Sequence, residues 1–155
     1  MGRSILSVIV GYLVMFAVVF LLLSLAYLSM GQERAFQPGS YDVSAVWLAV
    51  MFAVSAIAAL AGGFVCVSVA TSRTAPVVLA VAVLVMGLLS AITAFMSPPT
   101  PTPRQGNIGN LEAMTHARKP AWVALLLPVI GSGGTLAGAK LKRQTSHTAS
   151  GSSPA

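Results

Sequence analysis

A chain of 155 residues that is 56% hydrophobic and only 8% charged, with a mean hydropathy of +0.86, carries too much apolar surface for a soluble domain of this size, whose exterior must be largely polar or charged. Lipid is the solvent that suits such a composition. Nine Lys and Arg against three Asp and Glu give a formal net charge of +6, and a single cysteine excludes an intramolecular disulfide.

Four runs contain no Asp, Glu, Lys or Arg: Ile5 to Leu28, Val43 to Ala70, Pro76 to Met96 and Ala121 to Ala139. A hydrocarbon core of roughly 30 Å needs about 20 residues of helix, and each run meets or nearly meets that length. The expected fold is all-α, a four-helix transmembrane bundle over residues 1–143 with spans near 5–28, 43–70, 76–96 and 121–141.

The first run follows Arg3 and contains Ser24-Leu25-Ala26, small residues of the kind a signal peptidase accepts. It is much longer than an ordinary signal h-region of about 7 to 15 residues, so a retained helix is expected. Met1-Gly2 lacks the Ser or Thr at position 6 that N-myristoylation requires, since that residue is Leu6. The connector Gly31 to Tyr41 holds Pro38-Gly39, a turn signal suited to an exposed link.

On the second run Ala58, Gly62, Cys66 and Ala70 fall four apart, and Ser55, Ala59 and Gly63 form a neighbouring row. In lipid, helices associate through close van der Waals packing, and such rows let backbones approach. Packing within the chain is expected of them, ahead of a dimer interface. The link Thr71 to Ala75 is so short that the second and third helices are expected to form an antiparallel hairpin, with Arg73 at the surface and Pro76 in the first helical turn. The third run repeats the small-residue device more weakly at Val83, Gly87 and Ala91.

The longest connector, Ser97 to Lys119, opens with four prolines in Ser97-Pro98-Pro99-Thr100-Pro101-Thr102-Pro103, which favours extended polyproline backbone and excludes helix. Ile108, Leu111 and Met114 then recur every third residue. That spacing suits a short surface helix, capped by Asn107 or Asn110, in an otherwise solvated link.

In the fourth run Pro128 removes a backbone hydrogen bond and Gly131-Ser132-Gly133-Gly134 follows, so a kink or local unwinding is expected at Pro128, Gly131 and Gly133. Transporters use broken helices to expose backbone groups to a substrate. Glycines packed closely around a proline kink explain the same residues, and Gly134 with Gly138 forms a GxxxG pair for packing. The tail 144–155, rich in Ser, Thr, Gly and Ala, is expected to be disordered.

Cations orient the bundle. With the N-terminus cytoplasmic, the inner segments hold Arg3, Arg73, Lys140, Lys142 and Arg143 and no acid, while the outer ones hold Arg34, Arg104, Arg118 and Lys119 beside Glu33, Asp42 and Glu112. Tyr27, Tyr41, Trp47, Phe95 and Trp122 then lie near outer helix ends, where amphipathic rings favour the headgroup region. Arg118 and Lys119 run against this scheme. They stand on the outer side and at the positive end of the fourth helix dipole, where neither rule favours a cation.

Ion-coupled carriers normally keep an ionisable residue within the membrane, and here Glu33, Asp42 and Glu112 all fall in the expected outer loops, leaving no acid in a span for the coupling role. His116 and His147 are expected on opposite sides, Cys66 has no companion at ligand spacing, and no acid pair or Ser-His pair for proteolysis lies in a span. No cofactor, metal or nucleic-acid partner is expected, and no catalysis.

The Gly11-Tyr12-Leu13-Val14 stretch, the loop Glu33-Arg34-Ala35-Phe36-Gln37-Pro38-Gly39-Ser40-Tyr41, the Ala61-Gly62-Gly63 step and Pro120-Ala121-Trp122 together resemble a group of small four-span bacterial membrane proteins. The resemblance covers nearly the whole chain and implies an inner-membrane location, but it transfers no activity or functional residue. The expected role is contact with the bilayer and with a protein partner or a second copy of the chain. The alternative is a subunit of a small oligomeric carrier or channel built on the fourth helix.

Overall fold

The computed structural model describes residues 2–70, 72, 74–96 and 109–150. Six helices follow in order: α1 (Gly2–Met30), α2 (Gln32–Ala35), α3 (Ala45–Val69), α4 (Ala75–Met96), α5 (Asn110–His116) and α6 (Ala121–Ser150). Among the described residues there is no strand, and α1, α3, α4 and α6 are long and apolar enough to cross a membrane. The protein is an all-α bundle with four candidate spans, as its charge-free runs predict.

Helix limits follow local chemistry. Ser44 caps α3, its Oγ accepting from the Trp47 amide at 3.1 Å while donating to the Arg34 carbonyl at 2.5 Å. Gly31 and Gly39, with φ of 73° and 69°, turn the chain on either side of α2 in backbone that L side chains rarely adopt. Hydroxyls in the spans bond to their own helix: Ser68 to the Phe64 carbonyl, Ser90 to Met86 and Thr93 to Ser90. The buried Ser7 and Thr135 do the same, toward Ser4 and Gly131.

Packing is four-sided. α3 lies against α1 on one side and α6 on the other, and α4 lies against α6. Side-chain register sets the directions: Tyr27 meets Trp47 while Gly11 meets Gly62, so α1 and α3 are antiparallel. Phe52 meets Trp122 and Ala59 meets Gly134, so α3 and α6 are parallel. Val83 meets Gly131 and Gly87 meets Pro128, which makes α4 antiparallel to α6. The hairpin expectation is thus half right. α3 and α4 run in opposite directions, but α6 stands between them because its small residues and Pro128 fit both neighbours.

Two sequence expectations are affected here, and of the kink or local unwinding expected in the fourth span only the unwinding is contradicted. α6 is continuous from Ala121 to Ser150, passing through Pro128, Gly131 and Gly133 without an unwound turn. Proline forfeits one hydrogen bond, which a helix held by neighbours on two sides tolerates. The helix also enters the segment expected to be disordered and reaches Ser150. From Ala139 to Ser150 there is neither Gly nor Pro to stop it, and the next glycine is Gly151. Arg73, Arg104, the polyproline stretch, Asn107, Ile108 and residues 151–155 lie outside the described residues.

Candidate functional site

The small-residue rows on α3 face two different partners. Ala58, Gly62 and Cys66 are buried toward α1, where the Gly62 carbonyl lies 3.1 Å from the place a Cβ on Gly11 would occupy, and the Cys66 Cβ 3.0 Å from it. Ala70 is half-buried at the end of the row. On the neighbouring face a Cβ at Gly63 would collide with the Thr135 backbone, one at Gly134 would come within 2.7 Å of Ala59 Cβ, and one at Gly138 would run into the Leu60 carbonyl. Both rows, and the Gly134–Gly138 pair, are consumed in contacts within the chain. The proposed helix-break residues have separate fates: Pro128 packs its ring onto Gly87, Gly131 sits against Val83, and Gly133 has nothing within 4 Å.

One end of the bundle carries a folded cap. Tyr27, Phe36, Tyr41, Val43, Trp47, Met51 and Ala113 are buried together there. Tyr27 is edge-on to both Phe36 and Trp47, with ring centroids 6.4 and 6.2 Å apart. The loop after α2 is tied to the segment before α6 by backbone: the Arg118 amide donates to the Tyr41 carbonyl at 2.9 Å, and the Val43 amide to the Arg118 carbonyl at 3.1 Å. Tyr41 Oη donates to Glu112 Oε1 at 3.1 Å, Arg118 pairs with Asp42 at 4.0 Å, and Asn110 Nδ2 donates to Ser24 Oγ at 3.0 Å. Three of the five rings expected at the headgroups, Tyr27, Tyr41 and Trp47, are instead core residues of this cap; Phe95 and Trp122 remain about half exposed. The expected helix forms as α5, but Gly109 is its N-cap, it buries Ala113, and Leu111 is 71% exposed.

Beneath the cap the fourth side of the bundle is open. α1 and α4 come together at Gly11 and Leu79, then leave between them a cavity of about 630 Å³ whose back wall is α6. Tyr12 and Met15 line it from α1, Val83, Met86, Gly87, Ser90 and Ala91 from α4, and Ala124, Leu127 and Pro128 from α6. Tyr12 and Met86, at 44% and 55% exposure, leave it open toward the outer surface of the bundle. Its cap end is formed by Ala117, Arg118, Lys119 and Ala121. Lys119 also borders a second, smaller cavity of about 140 Å³ under Tyr27 and Trp47. Burial pushes the Lys119 ammonium below the ordinary lysine pKa, although the residue keeps some surface exposed.

Size and lining match sites that take small or chain-like apolar molecules. Ser90 is the one hydroxyl on the α4 wall, and it is engaged by the Met86 carbonyl. Among the described residues no group of three or more His, Cys, Asp or Glu could hold a metal. The spacing of small residues marks the closed seams in sequence, but nothing in it marks Tyr12, Met15, Met86 or Ala124 as a cavity. The available signal was Arg118-Lys119, two cations where orientation and dipole disfavour them, and these stand at its cap end. No protein-family model, curated protein or solved structure is found to match the chain.

Proposed function

We propose that this chain is a bacterial inner-membrane protein with both termini cytoplasmic, which acts without catalysis by holding a lipid molecule in the cavity between α1, α4 and α6. The observation that carries the reading is the cavity itself: about 630 Å³, apolar along its length and open sideways between two spans. An empty apolar gap of that size forfeits dispersion contacts on every wall, whereas a chain entering from the bilayer restores them. The carrier alternative rests on an opened fourth span, and the continuity of α6 removes its main support. Arg3, Lys140, Lys142 and Arg143 at the end shared by the termini, and the three acids at the cap end, favour a cytoplasmic position for the termini.

The test is native mass spectrometry of the full chain after extraction in mild detergent, comparing wild type with Ala124→Phe, which fills the cavity from its back wall. Wild type should retain a lipid that the variant loses. Wild type carrying no lipid, or equal retention in both, would overturn the reading. Cysteine labelling at the C-terminus should report the cytoplasmic side.

A further inference from the structure

The cavity is apolar along the helices and cationic only at its cap end, and this polarity has the form of a lipid with its headgroup upward. From Val83 to Ala91 the α4 wall runs about 12 Å at 1.5 Å per residue, with no charged side chain on any of the three helices along it. At the cap end Arg118 and Lys119 stand next to each other, and α6 begins two residues after Lys119 with its positive dipole end in the same place. Arg118 already faces Asp42. Lys119 lines the cap end of the cavity while keeping an exposed surface, and no carboxylate stands within ion-pair distance of it among the described residues. The cap anchors the backbone of Arg118, whose amide and carbonyl are each bonded to the loop at Tyr41 and Val43, and Lys119 follows it directly in the chain.

We infer that the cavity binds one anionic phospholipid, an acyl chain lying between α1 and α4 and the phosphate-bearing headgroup meeting Lys119 and Arg118. The inference rests on the lipid-contact reading above and adds the headgroup class. It also accounts for Lys119, a cation that the orientation of the helix makes unfavourable: a bound anion supplies a counter-charge there, as Asp42 does for Arg118. A zwitterionic lipid fits the apolar walls equally well but brings its own cation to a cationic mouth.

The experiment uses the full chain reconstituted in nanodiscs of equal parts phosphatidylglycerol and phosphatidylcholine, extracted mildly, with retained lipid identified by native mass spectrometry. Phosphatidylglycerol should be retained in preference. Lys119→Gln should weaken that preference about fivefold, the effect of one cation near an anionic surface, and Lys119→Arg should keep it. Ala124→Phe should lose both lipids, with its melting temperature in detergent checked so that misfolding is recognised; a variant that melts early is replaced by Ser90→Phe, which fills the same cavity from α4. Equal retention of the two lipids by wild type, or a preference unchanged in Lys119→Gln, overturns the headgroup assignment while leaving the lipid site standing. A wild type that retains neither lipid overturns both readings. A lipid-free dimer that Ala124→Phe dissociates would make a second copy of the chain the occupant and overturn both as well.

Discussion

The side of the bundle built on α3 and the side between α1 and α4 are made from similarly apolar helices, yet one is closed to backbone contact and the other stands open. α3 offers Gly62 to α1 and Gly63 to α6, and α6 answers with Gly134 and Gly138. α4 has one glycine, Gly87, and the ring of Pro128 fills it. Nothing of that kind remains for α1: above the contact of Gly11 with Leu79, the side chains of Tyr12, Met15, Val83 and Met86 border the gap. Apolar helices in lipid gain little by merely touching, so approach is decided by how small the facing residues are. The cavity lies on the side of the bundle where small residues are present but no glycine brings the backbones of α1 and α4 together.

Breaking the closed side should have the largest effect. In Gly63→Ala the new methyl meets the backbone of Thr135, which cannot rotate aside, so α3 and α6 must separate. A loss of about 3 kcal/mol is expected, read as an earlier midpoint in denaturing-detergent titration. An unchanged midpoint would mean that this seam is not closed by the glycine. Gly62→Ala should cost less, about 1 to 2 kcal/mol, because its first obstacle is the side chain of Met15, which can change rotamer, with the Gly11 carbonyl at 2.8 Å beside it. The gap between these two variants measures how much of the seam is backbone against backbone. If they prove equal, the distinction between the two faces of α3 fails.

Gly133→Ala should move stability the other way. Beyond its own stretch of helix no atom stands within 4 Å of the added carbon, and the residue lies inside a continuous helix, so a gain of up to about 1 kcal/mol is expected. Destabilisation would show that the helix does open there. The smallest change belongs to the open side: Tyr12→Phe keeps the ring that borders the cavity and should shift stability by less than about 0.5 kcal/mol. A large loss would show that the gap is bridged by that hydroxyl.

Much of the fold was legible before any coordinates. The limits of α1, α3 and α4 fall within about three residues of their charge-free runs, because a missing charge over 20 residues is a long and unambiguous signal. The rows at Gly62 and Gly134 were also legible as packing surfaces. Their partners were not, since a smooth helix face does not say which helix will meet it, and chain order suggested α4 where α6 is found. Tyr27, Tyr41 and Trp47 were misjudged because an aromatic ring near a helix end suits lipid headgroups and a folded cap equally well. Only the pairing of the loop at Tyr41 and Val43 with Arg118 decides between them.

Charge-free length by itself determined that this chain makes four helices long and apolar enough to span a membrane, and the positions of Gly, Ala, Ser and Cys determined that some of them approach closely. Tertiary structure alone decided that α6 enters between α3 and α4, that Pro128 is used to fill Gly87 and not to open a helix, and that α1 and α4 leave a cavity ending at Arg118 and Lys119. The physical reason is the range of the forces involved. Partition into lipid depends on each segment's own composition, whereas helix contact depends on the shapes of two surfaces at once, and a gap belongs to neither surface alone.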